Sequence, residues 1–171
     1  MEKNRKPLAI IISMLFLSYL AILVWIILFK LQFALSDIDH IRNINLIPFH
    51  YSTANGEHFH IKEVRDNVLI FIPFGIFLSM LAPNMRLQNK FLIIFGSSLV
   101  FETMQFVLSI GATDITDLIT NSSGGCIGMG FYAVLFKLVK NKQKLDLVIS
   151  IIAGIVTVLF LGLMSVLLLY N

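Results

Sequence analysis

Residues Leu8–Phe29 read LAIIISMLFLSYLAILVWIILF, 22 positions without a charged side chain. A helix needs about 20 mostly apolar residues to cross a hydrocarbon core about 30 Å thick. The run therefore reads as a membrane span. It is too long for the apolar core of a cleaved leader, which runs to about 7–15 residues. The far end of the chain repeats the signal, because Leu147–Leu169 supplies 23 uncharged residues. Between them lie three further spans, at about 66–82, 91–110 and 117–139. The last of these carries Asn121, two serines and four glycines. A helix that polar and that rich in small residues belongs inside a bundle rather than against lipid. The reading is an all-α integral membrane protein of five transmembrane helices, a single domain over residues 1–171 with one sizeable loop at 30–65.

Composition agrees. The chain is 57% hydrophobic and 13% charged, with a mean hydropathy of +0.87. Soluble domains carry about a quarter charged residues. A soluble enzyme, a disordered chain and a nucleic-acid-binding domain are excluded. One cysteine, Cys126, leaves no intramolecular disulfide and no multi-cysteine metal centre. The net charge of +3 is a matter of topology. Nine of the 13 Lys and Arg residues fall in the N-terminal segment, the 83–90 loop and the 137–146 loop. Basic residues in short loops mark the cytoplasmic side, so the N-terminus is expected inside and the C-terminus outside.

That orientation sets depth. Glu102 falls about 10 Å below the outer end of the third span at about 1.5 Å per residue. Ser98, Glu102, Gln105 and Ser109 share one helical face by spacing. Asp114, Asp117 and Asn121 share a face at the outer end of the fourth span, and Arg65, Asp66 and Asn67 sit at the mouth of the second. Three helices thus bring polar faces to one level, whereas the inner half of the bundle shows no comparable set. Ionisable residues in a membrane mark function by default. An outward-facing polar cavity is expected to hold Arg65, Asn67, Glu102, Gln105, Asp114, Asp117 and Asn121. If it is catalytic, Glu102 is the general acid/base and Asp117 orients a partner group. Arg65, Asn67, Gln105, Asp114 and Asn121 are the ligand-binding set, with Arg65 suited to an anionic headgroup. In the structural alternative, Arg65 locks onto Glu102 or Asp117 and the amides join helices. Glu102, Asp114 and Asp117 could hold a hard cation, but no metal site is assigned. Nor does any motif name a cofactor.

Four pieces of sequence resemble the VanZ-like family of bacterial membrane proteins. They are Asn45-Leu46-Ile47-Pro48-Phe49; Arg65 with Asn67 through Pro73-Phe74-Gly75; Glu102-Thr103-Met104-Gln105; and Asp114 through Asn121, followed by Gly124-Gly125. The chain departs from the family pattern at Gly111 and Thr116, where members often carry an arginine and an acidic residue, so its cavity is expected to be less charged. The resemblance implies a multi-pass protein of the bacterial plasma membrane. The family's named member is associated with low-level resistance to the glycopeptide teicoplanin. A lipid-linked cell-envelope precursor or a lipoglycopeptide is therefore the expected ligand, beside the bilayer itself. The alternative is a non-enzymatic binding or assembly partner of envelope proteins.

Overall fold

The computed structural model describes residues 5–29, 42–49 and 57–170. Five long helices account for nearly all of them: α1 (Arg5–Phe29), α2 (Glu57–Leu81), α3 (Leu87–Leu108), α4 (Ile115–Val139) and α5 (Lys142–Tyr170). All five are long and apolar enough to cross a membrane. Two helices start earlier than their apolar runs do, α2 at Glu57 and α5 at Lys142. An apolar count measures only the lipid-facing part of a helix. The backbone ladder continues into polar sequence, because each turn still satisfies its own hydrogen bonds.

The bundle is organised around the contact between α2 and α4, made possible by glycine. A Cβ on Gly124 would lie 2.2 Å from the Val68 carbonyl oxygen, and one on Gly128 would lie 2.0 Å from that of Ile72. From the other helix, a Cβ on Gly75 would lie 1.9 Å from the Gly125 carbonyl. The two backbones therefore touch, as small residues permit in membranes, where van der Waals packing replaces the hydrophobic drive. Around this contact Leu23, Phe71, Phe74, Ile94, Phe101 and Met129 form the main apolar core. Phe71 is fully buried and meets Phe101 edge-on at 6.2 Å. Tyr19 of α1 donates to the Ile70 carbonyl of α2 at 2.6 Å, three residues before Pro73.

A two-stranded parallel pairing also occurs, between β1 (Arg42–Asn45) and β2 (Gly111–Asp114), with Ile44 opposite Thr113. Nothing in the hydropathy pattern announces it. Each strand has four residues, too short for a period-2 signal, and the partners are far apart in sequence. Leu46, Ile47 and Phe49, just after β1, expose more than half of their surface. Those apolar faces are as expected of a segment lying at a bilayer interface.

The α2–α4 contact generates a stability prediction. Gly128→Ala forces the Ile72 backbone away and should destabilise the protein by about 1–3 kcal/mol, the usual cost of overpacking. Gly130→Ala meets no atom within 4 Å and should leave the unfolding midpoint unchanged or raised. Thermal unfolding in detergent measures both.

Candidate functional site

A cavity of about 450 Å³ opens between the start of α2, the end of α3 and the start of α4, with Ile26 and Ile27 of α1 closing one side. Its α2 wall is Glu63, Asp66, Asn67 and Ile70, an i, i+3, i+4, i+7 stripe and therefore one helical face. Lys62 stands beside that stripe at the rim. Glu102 and Gln105 come from α3, Asp117 and Asn121 from α4.

Glu102 is the most firmly placed of the carboxyl groups. Its side chain is 3% exposed, and Oε2 accepts the Asp114 backbone N–H at 3.0 Å. Its carbonyl accepts the Thr113 hydroxyl at 3.1 Å. Asp114 caps α4, with Oδ1 accepting the Thr116 N–H at 2.7 Å, and Oδ2 accepts the Asn45 amide at 3.1 Å. Asn45 in turn accepts the Ile47 N–H, and Phe49 donates its own N–H to the Thr116 hydroxyl at 3.0 Å. Phe49 has a φ of 57°, a conformation that costs a non-glycine residue about 1–2 kcal/mol. The bond to Thr116 holds it there. The segment 45–49, the α4 cap and the α3 carboxyl thus form one continuous network.

The amides complete the lining. Asn67 donates to Asp117 Oδ1 at 2.6 Å, Gln105 to the Ile27 carbonyl at 3.0 Å, and Asn121 to the Ser98 hydroxyl at 3.0 Å. Each amide spends its N–H on a neighbouring helix. The consequence is that Gln105 Oε1 and Asn121 Oδ1 are buried with no hydrogen-bond partner among the described residues. An orphaned acceptor costs about 1–3 kcal/mol, and two of them belong to residues lining one cavity. With Glu63, Asp66, Glu102 and Asp117 in the same lining, and Lys62 the one cation among the described lining residues, the site is dominated by acceptors.

Five residues singled out from sequence therefore meet here: Asn67, Glu102, Gln105, Asp117 and Asn121. Two do not line the cavity. Arg65 is exposed and paired with Asp66 Oδ1 at 2.8 Å. Two positions along a helix turn a side chain about 200° away, so the face that offers Asn67 to α4 carries Arg65 off the cavity. Its expected lock onto Glu102 or Asp117 does not form. Asp114 is a buried cap whose two oxygens serve Thr116 and Asn45, which removes it from a shared cation cage. Among the described residues no group of three His, Cys, Asp or Glu side chains could hold a metal. The sequence reading missed Lys62 and Glu63, because it treated residues up to 65 as loop. The stripe at 63, 66, 67 and 70 carried the signal. The opposite end of the bundle carries a polar cluster of its own, where no comparable set was expected. There Tyr132 donates to Asp146 at 2.7 Å, and Lys142 bonds both Asp146 and the Met80 carbonyl. Lys142 and Asp146 were hidden because 142–146 was read as loop.

The cap network is testable apart from any ligand. Asp114→Ala removes the acceptor for Thr116 and Asn45 and should cost about 0.5–2 kcal/mol, as lost N-caps do. Asp114→Asn, which keeps an acceptor, should retain most of that stability in the same thermal unfolding measurement.

The sequence that builds this site matches a known family. The VanZ/LLP1 family profile covers residues 16–137, a range that includes every residue lining the cavity. Protein VanZ of Enterococcus faecium is 43% identical over 145 residues, spanning 84% of this chain and 86% of that protein. No solved structure matches the chain. With five membrane-length helices and a family match over most of its length, the chain belongs to the VanZ/LLP1 family.

Proposed function

We propose that the chain lies in the bacterial plasma membrane with its N-terminus inside and its C-terminus outside. In that orientation the acceptor-lined cavity opens on the extracytoplasmic face. There it receives the headgroup of a lipid-linked envelope component or a lipoglycopeptide, and so supports resistance to teicoplanin-type glycopeptides. One observation carries this reading: Gln105 and Asn121, which line the cavity beside the buried Glu102, each hold a buried amide oxygen with no hydrogen-bond partner among the described residues. A protein that only needed to join helices would pair those oxygens, since each unpaired one is costly. A ligand bearing amine or hydroxyl hydrogens satisfies them on binding. The kinship to Protein VanZ supports the glycopeptide side of the proposal.

The groups divide naturally by role. Glu102, fixed by the Asp114 N–H, is the group available to accept or return a proton at the cavity floor. Asp117, held by Asn67, orients the bound headgroup. Gln105 and Asn121 select for donors. Arg65, turned onto Asp66, takes no part.

Two experiments test the proposal. Glutamine at position 102 keeps an oxygen for the Asp114 N–H while removing the carboxyl. Glu102→Gln should therefore leave protein abundance near normal, yet drop the teicoplanin inhibitory concentration to that of cells lacking the protein. Full resistance in the variant would assign Glu102 a packing role only. Orientation is checked by thiol labelling in a Cys126→Ser background. Tyr170→Cys should react with an impermeant reagent added outside intact cells and Lys144→Cys should not.

A further inference from the structure

Opposite the acceptor-lined cavity, where α2 ends and α3 and α5 begin, a second cavity of about 240 Å³ is lined by Lys90 and Lys142 with Ser79, Pro83 and Tyr132. The two lysines differ in one respect. Lys142 is neutralised, because it bonds Asp146, which Tyr132 also holds, and its ammonium reaches the Met80 carbonyl at 3.0 Å. Lys90 is only 8% exposed, yet its ammonium has no hydrogen bond or ion pair among the described residues. Its carbon chain is covered, but the ammonium itself is not fully enclosed, so the charge stays within reach of a ligand. Here it lines a cavity, and after the Lys142–Asp146 pairing one positive charge remains unmatched.

The cavity continues into an apolar groove of about 720 Å³ between α3 and α4, with Leu87, Met129 and Ala133 common to both. Phe91, Leu92 and Gly130 extend the groove along the surface expected to face lipid. Gly130 keeps it open, since nothing approaches within 4 Å of where its Cβ would be. A cationic pocket leading into a greasy channel matches one kind of molecule, an amphiphile with an anionic head. Arg86, Lys137, Lys140 and Lys144 lie in the same end segments. They favour a headgroup of net negative charge over a zwitterion.

We infer that this end of the bundle binds an anionic glycerophospholipid, its phosphate between Lys90 and Lys142 and an acyl chain in the α3–α4 groove. The site is separate from the acceptor-lined cavity and does not depend on how that cavity is used. The test is thermal unfolding of the purified full chain in a neutral detergent, with phosphatidylglycerol, phosphatidylcholine or inorganic phosphate added. Phosphatidylglycerol should raise the midpoint of the unsubstituted protein and of Lys90→Arg, while the other two additions leave it unchanged. The rise should be lost in Lys90→Gln, which removes the cation, and in Gly130→Leu, which fills the groove. An equal rise in Lys90→Gln overturns the phosphate assignment. A rise with inorganic phosphate, or a phosphatidylglycerol effect that survives Gly130→Leu, overturns the lipid as occupant. Should Lys90→Gln fail to fold, Gly130→Leu alone decides, because its substitution lies in open space.

Discussion

Everything at the candidate site depends on how closely α4 can approach α2. The approach is set where Gly124 and Gly128 meet the carbonyls of Val68 and Ile72. Those positions are immediate neighbours of the polar ones: Asn67 precedes Val68, and Asn121 lies one turn before Gly124. Backbone contact in that register places Asn67 against Asp117 at 2.6 Å and holds Asn121 at the level of Glu102 and Gln105. A side chain at either glycine would separate the helices by more than a hydrogen bond can follow. The small-residue face and the polar face are therefore two parts of one constraint, and the first positions the second.

The second determinant is local. Between α3 and α4 the chain leaves the helix through Ser109, in the left-handed conformation, and returns through β2 to the Asp114 cap. That short passage points the Asp114 N–H at Glu102 and turns both side-chain oxygens of Asp114 toward Thr116 and Asn45. Pairing with β1 joins the segment 42–49 to the bundle, so residues distant in sequence hold the Glu102 carboxyl in place. Thr116 is fully buried and accepts from Phe49. The chain uses this neutral hydroxyl as a structural acceptor.

Much of this was legible in the sequence, for identifiable reasons. Hydropathy over 20-residue windows averages out detail and so found five spans. Helical spacing placed Ser98, Glu102 and Gln105 on one face, and all three are buried there. The glycines of α4 announced an interior helix. What escaped notice lies where helices outrun their apolar stretches. Lys62 and Glu63 belong to the early turns of α2, before the expected span, and Lys142 and Asp146 to the first two turns of α5; apolar counting assigns both segments to loops. Arg65 was misplaced for another reason: proximity in sequence to Asn67 was taken for proximity in space, against the 100° that separates successive helical positions. The β1–β2 pairing has no local signature at all.

The central claim is that the cavity between α2, α3 and α4 receives a small-molecule headgroup rather than a protein partner. Ile26 lines that cavity and is only partly buried, which makes it a suitable position for a photoreactive residue. The most direct measurement is in-cell photo-crosslinking from p-benzoylphenylalanine placed at Ile26, with the adduct identified by mass spectrometry. The account predicts a non-protein adduct, the mass of a lipid-linked envelope component or of added teicoplanin, which disappears when Gln105 and Asn121 are both changed to leucine. Crosslinks solely to another polypeptide, unaffected by those two substitutions, would contradict it.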